Sequence, residues 1–373
     1  MRLPAVIAIT IALAAVYPQN SPAQPGAVIR ATTRLVEVHV VTRDNQGKPV
    51  TNLRSEDFRV FDDSTERSVV SFSMDAASAQ SEMSVAARNP AQSVNNRRSE
   101  GATGYSAILL DWLNSSFSDR LRGDDAVRKV FSTIPVRQLV AVYVLGTEPP
   151  NSKHPLALFS NFTDDPADIA SIIEDPLILP SPDLAESYGI FDARYSGGTQ
   201  NVSVQQQVFD WDNRIMDTVR ALSDLVDRMA RLPGRKSVIW LTTGFPAIID
   251  GKVIPGVKTP EGIYLKEIDR VLARFNQLNI TVHTVNTKGL SASGGRSYDD
   301  TLKEFADRTG GTMFSGRNDI DMGVQVALDD MHNGYTLGFL VPDGAAAGMH
   351  RIKVRSGKRN VNLAYRESYE LSR

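Results

Sequence analysis

The sequence predicts an α/β fold: a doubly wound, Rossmann-like parallel sheet, accompanied by a small β domain built from strands at the two ends of the chain. Three observations predict it. Ala107 to Leu110, Ser237 to Leu241 and Ile280 to Val285 are continuous apolar runs, too short for helices and without alternation, as expected of strands buried on both faces of a parallel sheet. Between them lie stretches of helical period long enough to serve as crossovers, which parallel neighbours require. Outside them, at both ends, apolar residues recur with period two.

Taken in order, Arg34 to Thr42 alternates through Leu35, Val36, Val38 and Val40 and ends in the turn-forming Asp44-Asn-Gln-Gly47, which predicts a hairpin. Val50, Leu53, Phe58 to Phe61 and Val69 to Phe72 supply further short strands, so residues 24–75 form a β-rich segment. Residues 76–104 hold Ala, Ser, Gln, Asn and Arg with hardly a large apolar side chain and read as a disordered linker. The α/β domain spans 105–332. Its first strand is followed by a helix with Leu121, Val127, Val130, Phe131 and Ile134 on one stripe and Ser118 and Asp119 as caps. Leu139 to Leu145 and Leu156 to Phe162 are joined by a short loop, which predicts one antiparallel edge strand. A helix from Pro166 to Ile173 follows, then an insertion to about Ser203. The long helix after it carries Ile215, Val219, Leu222, Val226 and Met229, and Pro233-Gly234 stops it. The strand Ser237 to Leu241 leads to a helix with Ile268, Val271, Leu272, Phe275 and Leu278. After the strand Ile280 to Val285 come a helix over Tyr298 to Arg308, a short strand Thr312 to Ser315 and a last helix Asp319 to Met331. Residues 333–373 alternate again in three short strands.

Composition narrows the function. The 373 residues carry a net charge of only −2 with both signs interleaved, which lacks the basic footprint a nucleic-acid partner requires. Arg2, the apolar Ile7 to Val16 and Ser21-Pro-Ala23 read as a secretory signal peptide over 1–23; that apolar core is half of the ~20 residues a spanning helix needs. No membrane span is then expected after cleavage. The absence of cysteine excludes disulfides, a lipid-bearing cysteine and thiol chemistry. An exported, periplasmic or extracellular protein is the expectation.

Asp111 ends the first apolar run, followed by Asn114, Ser115 and Ser116. It therefore falls at the carboxyl end of a central strand, the rim where open α/β sheets bind ligands. The chemistry available there is restricted. No glycine lies between Asp111 and Asp119 to cradle a phosphate, no second Asp stands two residues on, and no Gly-x-Ser-x-Gly elbow occurs. The five histidines are scattered without metal spacing, and His283 inside an apolar strand reads as a hydrogen-bonded core residue. Trp112, Phe117 and Phe245 flank the rim turns, where they would either meet a partner or pack inward. Trp240 reads as core.

The element order, Asp111 and the Thr-Thr-Gly turn after Leu241 resemble the von Willebrand factor type A (VWA) domain. More narrowly, the chain is similar to bacterial exported "VWFA-related" proteins. The segments that carry this likeness are Leu35-Val-Glu-Val, Gly47-Lys-Pro-Val-Thr-Asn-Leu, Asp57-Phe-Arg-Val-Phe-Asp-Asp, Leu110-Asp-Trp-Leu-Asn, Leu232-Pro-Gly-Arg-Lys-Ser-Val-Ile-Trp-Leu and Tyr335-Thr-Leu-Gly-Phe. The resemblance implies a protein or surface partner and a divalent cation on the rim, held by an Asp-x-Ser-x-Ser loop, a Thr and a second Asp. Asp111 and Ser115 match that pattern, and Thr199 in Ser196-Gly-Gly-Thr is similar to its Thr. Leu113 replaces the middle serine and Thr243 the last aspartate, while Asn114 offers an amide oxygen. A set so reduced implies no cofactor, or at most weak Mg²⁺ or Ca²⁺. The expectation is an interaction module with a degenerate adhesion site on Asp111, Ser115, Asn114 and Thr199. Trp112, Asn114, Thr243 and Phe245 would face the partner, and no enzymatic turnover is expected. The alternative is a hydrolase of unrecognised type acting at the rim near Asp111.

Overall fold

The computed structural model describes residues 34–74, 104–133, 138–146, 155–174, 204–244, 263–290 and 298–371. The signal peptide, the linker, the insertion with Thr199, and Phe245 lie outside the described residues. Among the described residues no helix is long and apolar enough to cross a membrane.

The middle of the chain forms a mixed α/β layer structure. Its strands are β5 (Gly104–Asp111), β6 (Leu139–Leu145), β7 (Leu156–Leu158), β8 (Arg235–Thr242), β9 (Ile280–Asn286) and β10 (Met313–Phe314). They form one six-stranded sheet in the order β10-β9-β8-β5-β6-β7, parallel except for β7 at the edge. Helices α1 (Phe117–Thr133), α2 (Pro166–Glu174), α3 (Val204–Ala230), α4 (Ile263–Gln277), α5 (Asp299–Thr309) and α6 (Ile320–Asp330) make the crossovers. The lack of alternation in β5 has a direct cause: every residue of the strand is buried. Ala107 and Leu109 face a core with Leu222, Trp240 and Phe275, whereas Ile108 and Leu110 face one with Val127, Phe131 and Ile239. Each such aliphatic side chain contributes roughly 1.5–3 kcal/mol by leaving water. The central strands thus fix the position of Asp111.

The remaining strands come from both ends of the chain: β1 (Arg34–Arg43), β2 (Phe58–Asp62), β3 (Thr65–Arg67), β4 (Val69–Met74), β11 (Gly334–Val341), β12 (Gly348–Ser356), β13 (Asn362–Tyr365) and β14 (Ser368–Leu371). They pair as β13-β1-β11-β4 and as β14-β12-β2-β3. Val38, Phe58, Val60, Tyr335, Phe339 and Val354 share one core between them. Burying the Tyr335 phenol requires partners for its hydroxyl. Its Oη accepts from Leu53 N–H at 2.9 Å and donates to the Val50 carbonyl at 3.1 Å.

Three local expectations are corrected. The Asp44 to Gly47 turn forms, but β1 has no sequence-adjacent hairpin partner: it pairs with β11 and β13, and Val50 to Leu53 is not a strand. The buried alternation of β1 needs a long partner, and β11 matches it over eight residues. Between β2 and β3 the chain makes a tight turn, with Asp63 and Ser64 at φ 45° and 75°. Leu121 is 38% exposed rather than on the buried stripe of α1, and Ile134 lies outside the described residues. The cap of α1 is Ser116, whose Oγ accepts from Asp119 N–H at 3.3 Å and donates to the Asp119 carboxylate at 2.6 Å.

Candidate functional site: the strand-end rim around Asp111

Parallel β5 and β8 end side by side, and their turns build the rim. Asp111 closes β5 at 2% exposure with its carboxylate fully engaged. Oδ1 accepts from Asn114 N–H at 2.9 Å and Asn114 Nδ2 at 3.1 Å. Oδ2 accepts from Asn114 Nδ2 at 2.9 Å, Thr242 Oγ1 at 2.8 Å and Trp240 Nε1 at 3.1 Å. Every contact is a donor, the pattern of an ionised carboxylate, whose oxygens together offer about four lone-pair sites. Burial pushes the Asp111 carboxyl up, and the Asn114, Thr242 and Trp240 donors pull it back.

The same donors define the neighbours. Asn114 is 5% exposed and presents Nδ2 to Asp111 and to Thr218 Oγ1 at 2.9 Å. A flipped amide would set its oxygen against the carboxylate, so the network fixes the orientation. Asn114 therefore neither offers an oxygen beside Asp111 nor faces a partner. Ser115 is buried, and its Oγ accepts from Thr243 N–H at 3.2 Å, while Thr243 Oγ1 donates to the Asn114 carbonyl at 2.6 Å. Thr243 is half-buried and serves to stitch the β8 turn to the β5 turn. Leu113 turns inward and joins the core around Leu109 and Leu222. The end of β6 holds it there: Trp112 and Leu113 both donate their N–H to the Leu145 carbonyl, and Gly146 follows at φ +94°. A Cβ on Gly146 would lie 2.7 Å from Leu113 N, so only glycine allows this approach.

Trp112 is the clearest correction among the partner-facing residues. It is 6% exposed and packs on Phe159 with ring centroids 6.3 Å apart, so its ring meets no partner in this arrangement. Behind it lies a cavity of about 10 Å³ that reaches Asp111, Ser115, Asp119 and Asp124. Trp112 Nε1, Asp124 Oδ1 and Thr287 Oγ1 are buried on residues lining it and make no well-aligned hydrogen bond, although Trp112 stands close enough to the Asp124 carboxyl to help hold it down. A space of that size and polarity holds about one water molecule. Burial raises the Asp124 carboxyl to about 7, opposed by the nearby Arg128.

A divalent cation does not fit this set as it is arranged. The carboxylate spends its lone pairs on protein donors, Asn114 turns its amide nitrogen toward the site, and Leu113 supplies no oxygen, whereas Ca²⁺ takes six to eight oxygens and Mg²⁺ a near-ideal octahedron. His283 is a core residue as expected: its Nδ1 accepts from Thr312 N–H at 3.2 Å, and burial lowers it to about 3.

No protein-family model matches the chain, and no curated protein does. Among solved structures, the chain is similar to the pilus adhesin SpaC from Lactobacillus rhamnosus GG in its open conformation. The match has 10% identity and a TM-score of 0.34, and it covers 72% of this chain and 43% of that one. It is also similar to manganese-loaded TRAP protein of Plasmodium vivax, at 9% identity and a TM-score of 0.32, over 73% of this chain and 96% of that one. The chain spans less than half of SpaC.

A feature of the rim escapes motif reading. Large apolar side chains stand exposed on each of four connections that leave the carboxyl ends of parallel strands. Phe117 (39%) follows β5, Leu265 (42%) follows β8, Leu290 (68%) follows β9 and Met322 (44%) follows β10. The signal in the sequence is positional: an apolar residue within a strand-end loop or the first helical turn, where caps and polar residues are usual.

Proposed function

We propose that the chain is an exported, VWA-like interaction module of the VWFA-related kind, with a VWA-like α/β domain over 105–332 and a small β domain from both ends. Its rim is a degenerate adhesion site that recognises a protein or a surface, not nucleic acid, and turns nothing over. The observation that carries this reading is the contrast between the two parts of the rim: the space at Asp111 admits about one water, while apolar side chains project from the surrounding connections. A hydrolase at Asp111 would need room for a substrate beside a reacting group. An adhesive rim needs exposed apolar anchors, and Phe117, Leu265, Leu290 and Met322 provide them.

The test is capture from the native cell envelope with wild type, with Phe117→Glu combined with Leu290→Glu, and with Val70→Glu on β4 as control. A partner retained by wild type and by the control but lost from the rim variant is the expected result. Equal capture by all three, or reproducible cleavage of an ester, phosphate or peptide that a rim substitution abolishes, defeats the proposal.

A further inference from the structure

We propose that Asp62, Asp63 and His350, on a different sheet from the one that carries the rim, form a binding site for a divalent transition-metal ion, with Zn²⁺ as its natural probe. The three residues come from the β2–β3 turn and from β12, and one ligand atom of each lies within 4.8 Å of the others. Each is held in place by something other than the ion. Asp63 donates its N–H to the Arg351 carbonyl at 2.9 Å and accepts from Arg351 N–H on Oδ1 at 2.8 Å, which leaves Oδ2 to face His350. Asp62 is 3% exposed. Its Oδ2 takes Arg67 Nη2 at 2.8 Å and Nε at 3.1 Å, and its Oδ1 takes the Tyr369 hydroxyl at 2.9 Å. The His350 ring stacks on Tyr369 at 5.2 Å and 23°.

The deciding observation is the state of the imidazole. His350 is 8% exposed and its Nε2 lies 2.7 Å from the Ala346 carbonyl, so Nε2 carries a hydrogen and Nδ1 is the ring atom left to face the two carboxylates. That buried Nδ1 makes no well-aligned hydrogen bond, and its near neighbours are the two carboxylates. Asp63 Oδ2 is 2.7 Å from it and Asp62 Oδ1 3.6 Å, yet neither is aligned with it as a hydrogen bond requires. Three potential ligand atoms thus converge on one point. An ion seated on the nitrogen axis accepts the off-axis oxygens as ligands.

The donor set names the class of ion. One imidazole nitrogen with two carboxylate oxygens suits first-row divalent metals such as Zn²⁺ better than Ca²⁺ or Mg²⁺, which take oxygen alone. A backbone carbonyl behind the histidine, and a phenol and a guanidinium behind the buried carboxylate, are the outer partners that orient metal ligands. Arg67 offsets one of the two negative charges. Asp63, 53% exposed at its side chain, opens the site to solvent, which gives entry and supplies water to the remaining positions.

The experiment uses the full chain stripped with EDTA, titrated calorimetrically with Zn²⁺ and optically with Co²⁺, and melted with and without Zn²⁺. The variants are Asp63→Asn and His350→Gln. Asp63→Asn retains the fold because Asp63 is exposed and asparagine tolerates its positive φ. The expected result is one Zn²⁺ per chain, a raised melting temperature, and a loss of affinity of about tenfold or more in each variant. The visible Co²⁺ band should vanish in His350→Gln. Should His350→Gln not fold, Asp63→Asn decides alone. Absence of Zn²⁺ binding in the wild type, or an affinity unchanged by Asp63→Asn, overturns the site and leaves His350 as a protonated partner of Asp63 only.

Discussion

Two aspartate clusters in this molecule end in opposite states. At the rim, Asp111 is ringed by the donors of Asn114, Trp240 and Thr242, and its acceptor capacity is spent. Where β2 pairs with β12, Asp62 and Asp63 converge with the buried His350 Nδ1, at 3.6 and 2.7 Å. The position that resembles an adhesion site is an internal strut, while the position without a recognisable motif brings three potential ligand atoms within 4.8 Å of one another. What decides between a strut and a site is therefore the balance of donors and acceptors around the carboxylates rather than the presence of the carboxylates.

The largest test of this contrast is removal of the strut. Asp111→Ala strands Trp240 Nε1 and the Asn114 amide in a buried layer, each a donor whose desolvation is then unrepaid. A loss of about 3 kcal/mol or more in denaturant unfolding is expected. Asp63→Asn, at an exposed position, should change the stability of the metal-free chain by roughly 0.5 kcal/mol or less. A rim carboxylate that proves dispensable to folding would mean that its donors find water, and that it is free to act as a ligand after all.

The two clusters also differ in how much of them the sequence discloses. The strands β5, β8 and β9 are legible because both faces are buried, which writes an uninterrupted apolar run. The carboxylate at the end of β5 follows from the length of that run. Its saturation does not, because two of its partners, Trp240 and Thr242, lie 129 and 131 positions away on the neighbouring strand. Parallel register brings them together, and no local pattern encodes register. Trp112 shows the same gap: a tryptophan beside a rim residue reads equally well as anchor or core, and only the Leu145 carbonyl that captures its N–H turns the ring inward. The metal candidate is harder still, since Asp62 and His350 sit in strands whose pairing crosses almost the whole chain.

A middle-sized effect concerns the cavity behind the rim. The Asp124 carboxyl stands at about 7, above its ordinary value, because burial penalises the charge; Arg128 and Arg120 lower it and Asp125 raises it. A folded-state value above the unfolded one means that the native chain holds a proton which the unfolded chain releases. The stabilisation is complete below about pH 4, declines as pH rises toward 7 and is lost above that. Asp124→Asn keeps the shape without the charge. It should flatten the stability profile between about pH 4 and 7 and raise stability at pH 8 by on the order of a few kcal/mol. An unchanged slope in the variant would show that Asp124 finds a donor in that cavity strong enough to keep it ionised.

The smallest expected effect is the most direct comparison of the two clusters, because it asks whether the rim responds to a hard cation at all. With the Asp111 oxygens occupied and Leu113 in the core, a bound ion would have to displace at least one of Trp240, Thr242 and Asn114 before gaining a single carboxylate. One carboxylate is a thin basis for Mg²⁺ or Ca²⁺, so any affinity falls in the millimolar range of the loosest oxygen sites. At 1 to 5 mM, roughly the dissociation constant of such a site, linkage contributes only about 1 kcal/mol or less, against about 2.7 kcal/mol for a ligand at a hundredfold excess. The measurement is a thermal melt with EDTA, Mg²⁺ or Ca²⁺ on Asp63→Asn, so that the outer cluster is silenced and only the rim can answer. The melting temperature should stay nearly constant. Thr243→Asp in the same background adds a carboxylate beside the turn but removes the hydroxyl that holds the Asn114 carbonyl, so a gain in cation response should come with a lower metal-free melting temperature. A clear rise with either cation before Thr243 is changed would show that the rim opens in solution, that the donors around Asp111 are a resting state, and that Asp111 is available as a cation ligand.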